Sequence, residues 1–246
     1  MSVCIVVPCF NEATRLDADA FRGLSQQVDQ ILFVDDGSTD GTRAALQEIA
    51  GSSDGRIDVL PLDRNVGKAE AVRVGLLDAI ERGSTVVGYL DADLAAPTSE
   101  VVRLVEIAHQ QPQRTAVLGS RVALLGHHVQ RRPARHYLGR LFATAASVAL
   151  GVPIYDTQCG AKVFRVGRPL QLALADPFHD RWSFDVELLG RILSDPAQSA
   201  DPVIEVPLLA WSDVEGSSVG ALSGARASLS LLGLRRRVRR HRRRYR

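Results

Sequence analysis

The chain has 246 residues, 46% of them hydrophobic, which fits one large α/β domain with a sizeable core. Its formal net charge of +2 conceals an asymmetry: nine of the 30 basic residues lie in the last twelve, "RRRVRRHRRRYR", and the other 21 face 28 acidic ones, a net of about −7. No apolar run approaches the roughly 18–20 residues that span a bilayer, and "MSVCIVVPCFNEA" carries no basic stretch ahead of its apolar one, so a protein neither secreted nor spanning is expected.

Apolar, strand-like runs alternate with helical patterns from the start. Strands are expected at "VCIVVP" (3–8), "QILFVDD" (30–36), "RIDVLPL" (56–62), "TVVGYLDAD" (85–93) and "TAVLGSR" (115–121). Between them, 3.6-residue periodicity marks helices at "TRAALQEIA" (42–50), "KAEAVRVGLLDAIERG" (68–83) and "SEVVRLVEIAHQ" (99–110). This rhythm predicts an α/β fold, a mostly parallel sheet with helices on both faces. The second half loses the rhythm: helical "PARHYLGRLFATAASVALG" (133–151), then "DTQCGAKVFR" (156–165), "DRWSFDVELLGRIL" (180–193), a strand-like "VIEVPLLAW" (203–211) and a last apolar helix ahead of the arginines. The arginine run itself reads as a disordered, solvated tail that attracts polyanions.

Ligands of parallel sheets bind outside the carboxyl ends of the strands. Here those ends are polar: "PCFNEA" with Asn11 and Glu12, "DDGSTDGT", "DAD" and "GSR". Any one of them has a plain structural explanation, since Asp40 and Thr42 suit helix capping and "DDGS" an Asx turn. Their coincidence on one rim points to a site. The three cysteines, Cys4, Cys9 and Cys159, are odd in number without CxxC spacing and read as reduced, which favours the cytoplasm. Nucleic acid is not expected as a partner, because no basic region interleaved with aromatics accompanies the tail.

The set "VVPCFNEATRL", "FVDDGSTDGT", "RNVGKAEAVRVGL", "LDADLAAP", "GSR", "DTQCGAKVFR" and "RWSFDVELL", in order over about residues 3–217, resembles family 2 glycosyltransferases of GT-A fold, in particular the dolichyl-phosphate β-glucosyltransferase and polyprenyl-phosphate type. The resemblance implies a glycosyltransferase domain over 1–217 and a membrane-associating helix with a polybasic tail over 218–246. It implies inverting transfer of a hexose from a UDP-sugar, glucose-type or N-acetylhexosamine, to a polyprenyl phosphate at the cytoplasmic membrane face. Mg2+ or Mn2+ is the implied cofactor, a Lewis acid for the departing diphosphate, held by Asp93 with Asp91, or by Asp93 alone while Asp91 serves the ribose. Pro8, Glu12, Asp35, Asp36, Lys68 and Asp91 are the implied nucleotide-sugar residues, and Lys162 could also lie near the diphosphate.

A phosphate monoester is largely anionic at neutral pH, so such an acceptor needs positioning more than deprotonation. Arg121, Arg131 and Arg135, with Arg132 beside them, suit that task through their fork-shaped guanidinium groups. Asp185 is the candidate acceptor-side base and Glu187 its capping neighbour, or the reverse. The anionic membrane would be reached through 221–234 and the arginines, with the 137–151 helix as a second contact. Ala95 and Ala96 stand where some related mannosyltransferases carry Gln-His, which leans away from GDP-mannose. Two rivals stay open: a family 2 transferase with a soluble acceptor, and an inactive GT-A binding domain with a polyanion-binding tail.

Overall fold

A computed structural model describes residues 2–130, 133–181, 183–195, 201–213 and 233–244. Its core is a seven-stranded sheet in the order β3-β2-β1-β4-β7-β5-β8. The strands are β1 (Val3–Cys9), β2 (Gln30–Asp35), β3 (Ile57–Pro61), β4 (Val86–Leu90), β5 (Ala116–Ser120), β7 (Ala161–Arg165) and β8 (Val203–Pro207). All run parallel except β7, which lies antiparallel between β4 and β5. A short parallel pair, β6 (His128–Gln130) with β9 (Ala210–Ser212), stands apart.

Strand β1 shows why the sheet is sandwiched. Its side chains alternate between two faces: Val3, Ile5 and Val7 enter one core with Phe21, Leu24, Leu46 and Leu104, while Cys4 and Val6 enter another with Val72, Leu76, Leu170 and Leu188. The first core is closed by α1 (Ala18–Ser25), α2 (Thr42–Gly51) and α4 (Thr98–Gln110), the second by α3 (Lys68–Glu81), α6 (Arg168–Leu174) and α7 (Phe184–Leu193). This is the expected GT-A-type architecture, and every strand and helix expected in the first half is present within a few residues.

Two elements of the second half differ from expectation. "AKVFR" is a central strand, β7, pairing Lys162 with both Tyr89 and Leu118. Helix α5 (Pro133–Leu150) is as expected, but the arginine run folds as a helix, α8 (Leu234–Arg244), against α7 and α5. Leu234, 1% exposed, and Val238 one turn later form an apolar handle that packs with Phe142, Ala146 and Val186, and Arg244 pairs with Asp176 at 3.0 Å. The apolar segment expected over 221–234 lies outside the described residues up to 232. Among the described residues no helix is long and apolar enough to cross a membrane.

Candidate active site

The parallel arrangement carries the ends of β1, β2, β4 and β5 to one edge of the sheet, and the loops there are stapled together. Asn11, with φ of 54°, donates its N–H to Ser38 Oγ and accepts from Thr39 N at 2.9 Å. Glu12 N donates to Thr42 Oγ1 at 2.7 Å, and Thr42 Oγ1 to Asp40 Oδ1 at 2.5 Å. Asp35, fully buried, accepts from Ser38 N at 3.0 Å and pairs with Arg43 Nε at 2.7 Å. Asp36 accepts the N–H groups of Val66 and Gly67 at 2.7 and 2.9 Å. Gly37, with φ of +64°, is required here, because a Cβ would overlap the Arg64 backbone.

Asp36 thereby fixes the start of α3, and Lys68 is the first residue of that helix. Its Nζ lies 2.6 Å from Asp91 Oδ1, just past the end of β4. Asp91 can sit there because residue 160 is glycine: a Cβ at Gly160 would overlap the carboxylate, and the Gly160 carbonyl accepts Asp91 N at 2.9 Å. Burial works against the Lys68 ammonium, yet the charges of Asp91, Asp185 and Asp93 hold its pKa above the ordinary lysine value.

The carboxylates beside it are crowded. Burial first, and the Asp91 charge next, raise the pKa of Asp93; Ala95 N donates to its Oδ1 at 3.1 Å. Burial also raises Glu12 against the counter-pull of Arg15, and the charges of Asp93 and Asp91 add to the rise. Glu12 Oε2 is buried and has no hydrogen-bond partner among the described residues. Like charges gathered this way cost free energy that a divalent cation would relieve, so the donor set fits one. Among the described residues no three such ligands converge, so a cation here would need further oxygens from a diphosphate and water, as Mg2+ ordinarily does.

At the end of β5, Arg121 makes a two-pronged pair with Asp156, Nε to Oδ2 at 2.6 Å and Nη2 to Oδ1 at 2.8 Å, and its guanidinium stands 5.3 Å over the Trp211 ring. Glu205 on β8 accepts from Tyr155 N and Asp156 N, both at 2.7 Å, and so fixes the loop carrying Asp156.

The family model of glycosyl transferase family 2 matches residues 4–167. The chain belongs to that family. This family 2 glycosyl transferase is 32% identical to a dolichyl-phosphate beta-glucosyltransferase of Mus musculus over 232 residues, which cover 87% of this chain and 68% of the relative. It is 28% identical to a polyprenol monophosphomannose synthase of Mycolicibacterium smegmatis, over 87% of this chain and 82% of the relative. Its fold matches a mannosyltransferase of Pyrobaculum calidifontis solved with GDP-Man and Mn2+, with a TM-score of 0.57 and 20% identity, over 88% of this chain and 57% of that one.

Of the residues singled out in the sequence, Lys68 and Asp91 pair in this family 2 transferase, the charges of Asp91 and Asp93 act on Glu12, and Pro8 lies in β1. The carboxylates of Asp35 and Asp36 are each buried and bonded to loop backbone, with Arg43 added for Asp35, so they shape the rim. Lys162, on the antiparallel β7, is completely buried and bound to Asp185, Tyr89 and Cys159. Asp185 is only 5% exposed, and its Oδ1 engages Lys162 at 2.8 Å and accepts from the Tyr89 hydroxyl. Glu187 bonds His179 and Arg191 instead of the cleft.

Arg131 and Arg132 lie outside the described residues, and Arg135 is in the first turn of α5 with its side chain outside them. All three cysteines are free and buried; burial pushes the Cys159 thiol up to about 11, which fits a structural role. Sequence reasoning missed the Arg121–Asp156 pair and the Gly160 cradle. Both join segments far apart in the chain, and no local pattern announces them.

Proposed function

We propose that this chain transfers a hexose from a UDP-sugar to a polyprenyl phosphate, with inversion, at the cytoplasmic face of a membrane and with Mg2+ or Mn2+ as cofactor. The observation that carries the reading is the Lys68, Asp91, Asp93 and Glu12 cluster at the strand ends, in a chain whose relatives are named for sugar transfer to dolichyl and polyprenol phosphates.

On the donor side, Asp93 and Asp91 are the carboxylates that would hold the cation, which when bound stabilises the charge of the leaving diphosphate. Lys68, at the N-terminus of α3, adds an ammonium and backbone N–H groups facing the same anion. Pro8, near the end of β1, underlies the nucleotide, Glu12 accepts from the base or binds toward the cation, and Asp35 and Asp36 keep the two loops in place. On the acceptor side, Arg121, Arg131 and Arg135 grip the phosphate, whose charge makes a protein base unnecessary. Asp185 supports the site from behind.

In this reading residues 1–217 are the catalytic unit and 218–246 face the membrane. Arg236, Arg239, Arg240 and Arg243 are exposed on α8, and each arginine near an anionic surface contributes about 1 kcal/mol. Glucose is the preferred sugar because the 32% identical relative is named for it; GDP-mannose is the second reading, supported by the mycobacterial relative.

The test is a transfer assay with a polyprenyl phosphate in detergent, Mg2+ or Mn2+, and a panel of labelled UDP- and GDP-sugars, run beside Asp93→Ala. Metal-dependent label in the lipid from one UDP-hexose, lost in the variant, is expected. Label from GDP-mannose alone would replace the donor. Label passing to a soluble acceptor and never to lipid would overturn the acceptor, and an absence of transfer from every donor would favour an inactive binding domain.

A further inference from the structure

Lys162 lies in the middle of the sheet, opposite Tyr89 on β4 and Leu118 on β5, with its side chain 0% exposed. A buried ammonium is costly unless its donors are met. Here Nζ reaches Asp185 Oδ1 at 2.8 Å, Tyr89 Oη at 2.7 Å and the Cys159 carbonyl at 2.5 Å, so three donors find three acceptors. The Tyr89 hydroxyl also donates to Asp185 Oδ1, closing the network. Well-packed apolar side chains would fill this space without the desolvation cost, so stability alone does not explain the arrangement.

Each acceptor leads to the same place. Tyr89 stands two residues before Asp91. Cys159 directly precedes Gly160, which makes room for the Asp91 carboxylate and accepts the Asp91 N–H at 2.9 Å. Asp185 belongs to the first turn of α7, and its charge reaches Lys68, the partner of Asp91 at 2.6 Å.

We propose that Lys162 and Asp185 are positioning residues of the donor site: through the Cys159 carbonyl and the Tyr89 hydroxyl they hold Gly160 and Asp91 where Asp91 meets Lys68, and neither touches substrate. The inference rests on the donor-site reading given above. It differs from a base role for Asp185, which would act on the acceptor, and from a scaffold that serves stability alone.

The experiment measures UDP binding in the presence of Mn2+ by calorimetry, thermal unfolding, and donor KM and kcat for the full chain and its variants. The principal variant combines Lys162→Met with Asp185→Leu, which leaves no uncompensated buried charge. It is expected to stay folded, to bind UDP with Mn2+ about 10-fold or more weakly, and to show a donor KM raised in the same proportion with kcat less affected. Tyr89→Phe, which removes one hydroxyl and keeps the ring, is expected to weaken UDP binding several-fold and stands in should the double variant fail to fold.

Wild-type UDP affinity in either folded variant would reduce the network to a scaffold and overturn the inference. So would Asp185→Asn that loses kcat while UDP binding is unchanged, which would make Asp185 a base. Failure of the wild-type chain itself to bind UDP with Mn2+ would remove the donor-site reading and the inference with it, a pattern distinct from selective loss in the variants.

Discussion

The guanidinium of Arg121 and the carboxylate of Asp156 meet through two parallel hydrogen bonds of 2.6 and 2.8 Å, and Asp156 accepts the Arg121 backbone N–H as well at 3.0 Å. The end of β5 is thus locked to the loop before β7, and through Glu205 to β8. On the proposed reading, an arginine held so firmly would present a fixed edge to the acceptor phosphate, with its charge already part-neutralised, and further arginines would complete the grip.

Arg121→Lys keeps the charge and loses the fork. Stability should fall by about 1–2 kcal/mol in urea unfolding, because one carboxylate oxygen of Asp156, 6% exposed in its side chain, is left without its charged donor. Transfer to the lipid phosphate should fall about tenfold or more while UDP binding stays unchanged.

The crowded carboxylates make a pH prediction. Glu12 and Asp93 have pKa values raised above 4.5 and 3.8, so the folded metal-free protein holds protons that the unfolded chain has released. Their contribution to stability therefore falls as pH rises from those ordinary values through the raised ones, and the penalty is fully present above them. Asp93→Asn should flatten that part of the stability curve and raise neutral-pH stability without metal, while abolishing metal-dependent UDP binding. Mg2+ with UDP should stabilise the wild-type chain at neutral pH and the variant hardly at all. Thermal unfolding from pH 4 to pH 8, with and without Mg2+ and UDP, checks all three.

Gly160→Ala tests the cradle behind Asp91. The added methyl meets the end of a side chain, so the carboxylate can swing away and the fold should survive with a loss of about 1 kcal/mol or less. Donor KM should rise about tenfold, because Asp91 no longer meets Lys68. A wild-type donor KM in a folded Gly160→Ala protein would show that the placement of Asp91 is immaterial.

Helix α8 has two faces with separable roles. Leu234→Ala should destabilise by about 3 kcal/mol, read by urea unfolding, since the side chain is 1% exposed in a packed cluster. Arg239→Gln with Arg240→Gln, on exposed positions, should leave stability unchanged and weaken sedimentation with anionic vesicles, an effect that high salt should erase in the parent protein.

The first half of the chain was legible because its signals are local. Runs such as "CIVV" and "ILFV" are buried on both faces, and "DAD", "DDGS" and the lysine of "NVGK" follow directly from elements that periodicity reveals, so the rim and Lys68, Asp91, Asp93 and Glu12 could be named. The burial of Lys162 and the arginine helix are not legible locally for one reason: only tertiary contacts supply the Asp185 ion pair for one and the Leu234–Val238 handle for the other.

The sequence by itself determined the parallel α/β framework and the polar strand ends, because hydrophobic period and turn chemistry act over a few residues, and its motifs carried the resemblance to the family. Only the tertiary structure decided which carboxylates are paired with neighbours and which are crowded together. Asp35, Asp36 and Asp185 carry the same charge as Asp93, but the insertion of β7 between β4 and β5, and the folding of distant loops onto one edge, gave those three partners, crowded Glu12 and Asp93 together and left Glu12 Oε2 without one among the described residues. Burial and pairing are properties of neighbours in space, and they set what a carboxylate can do.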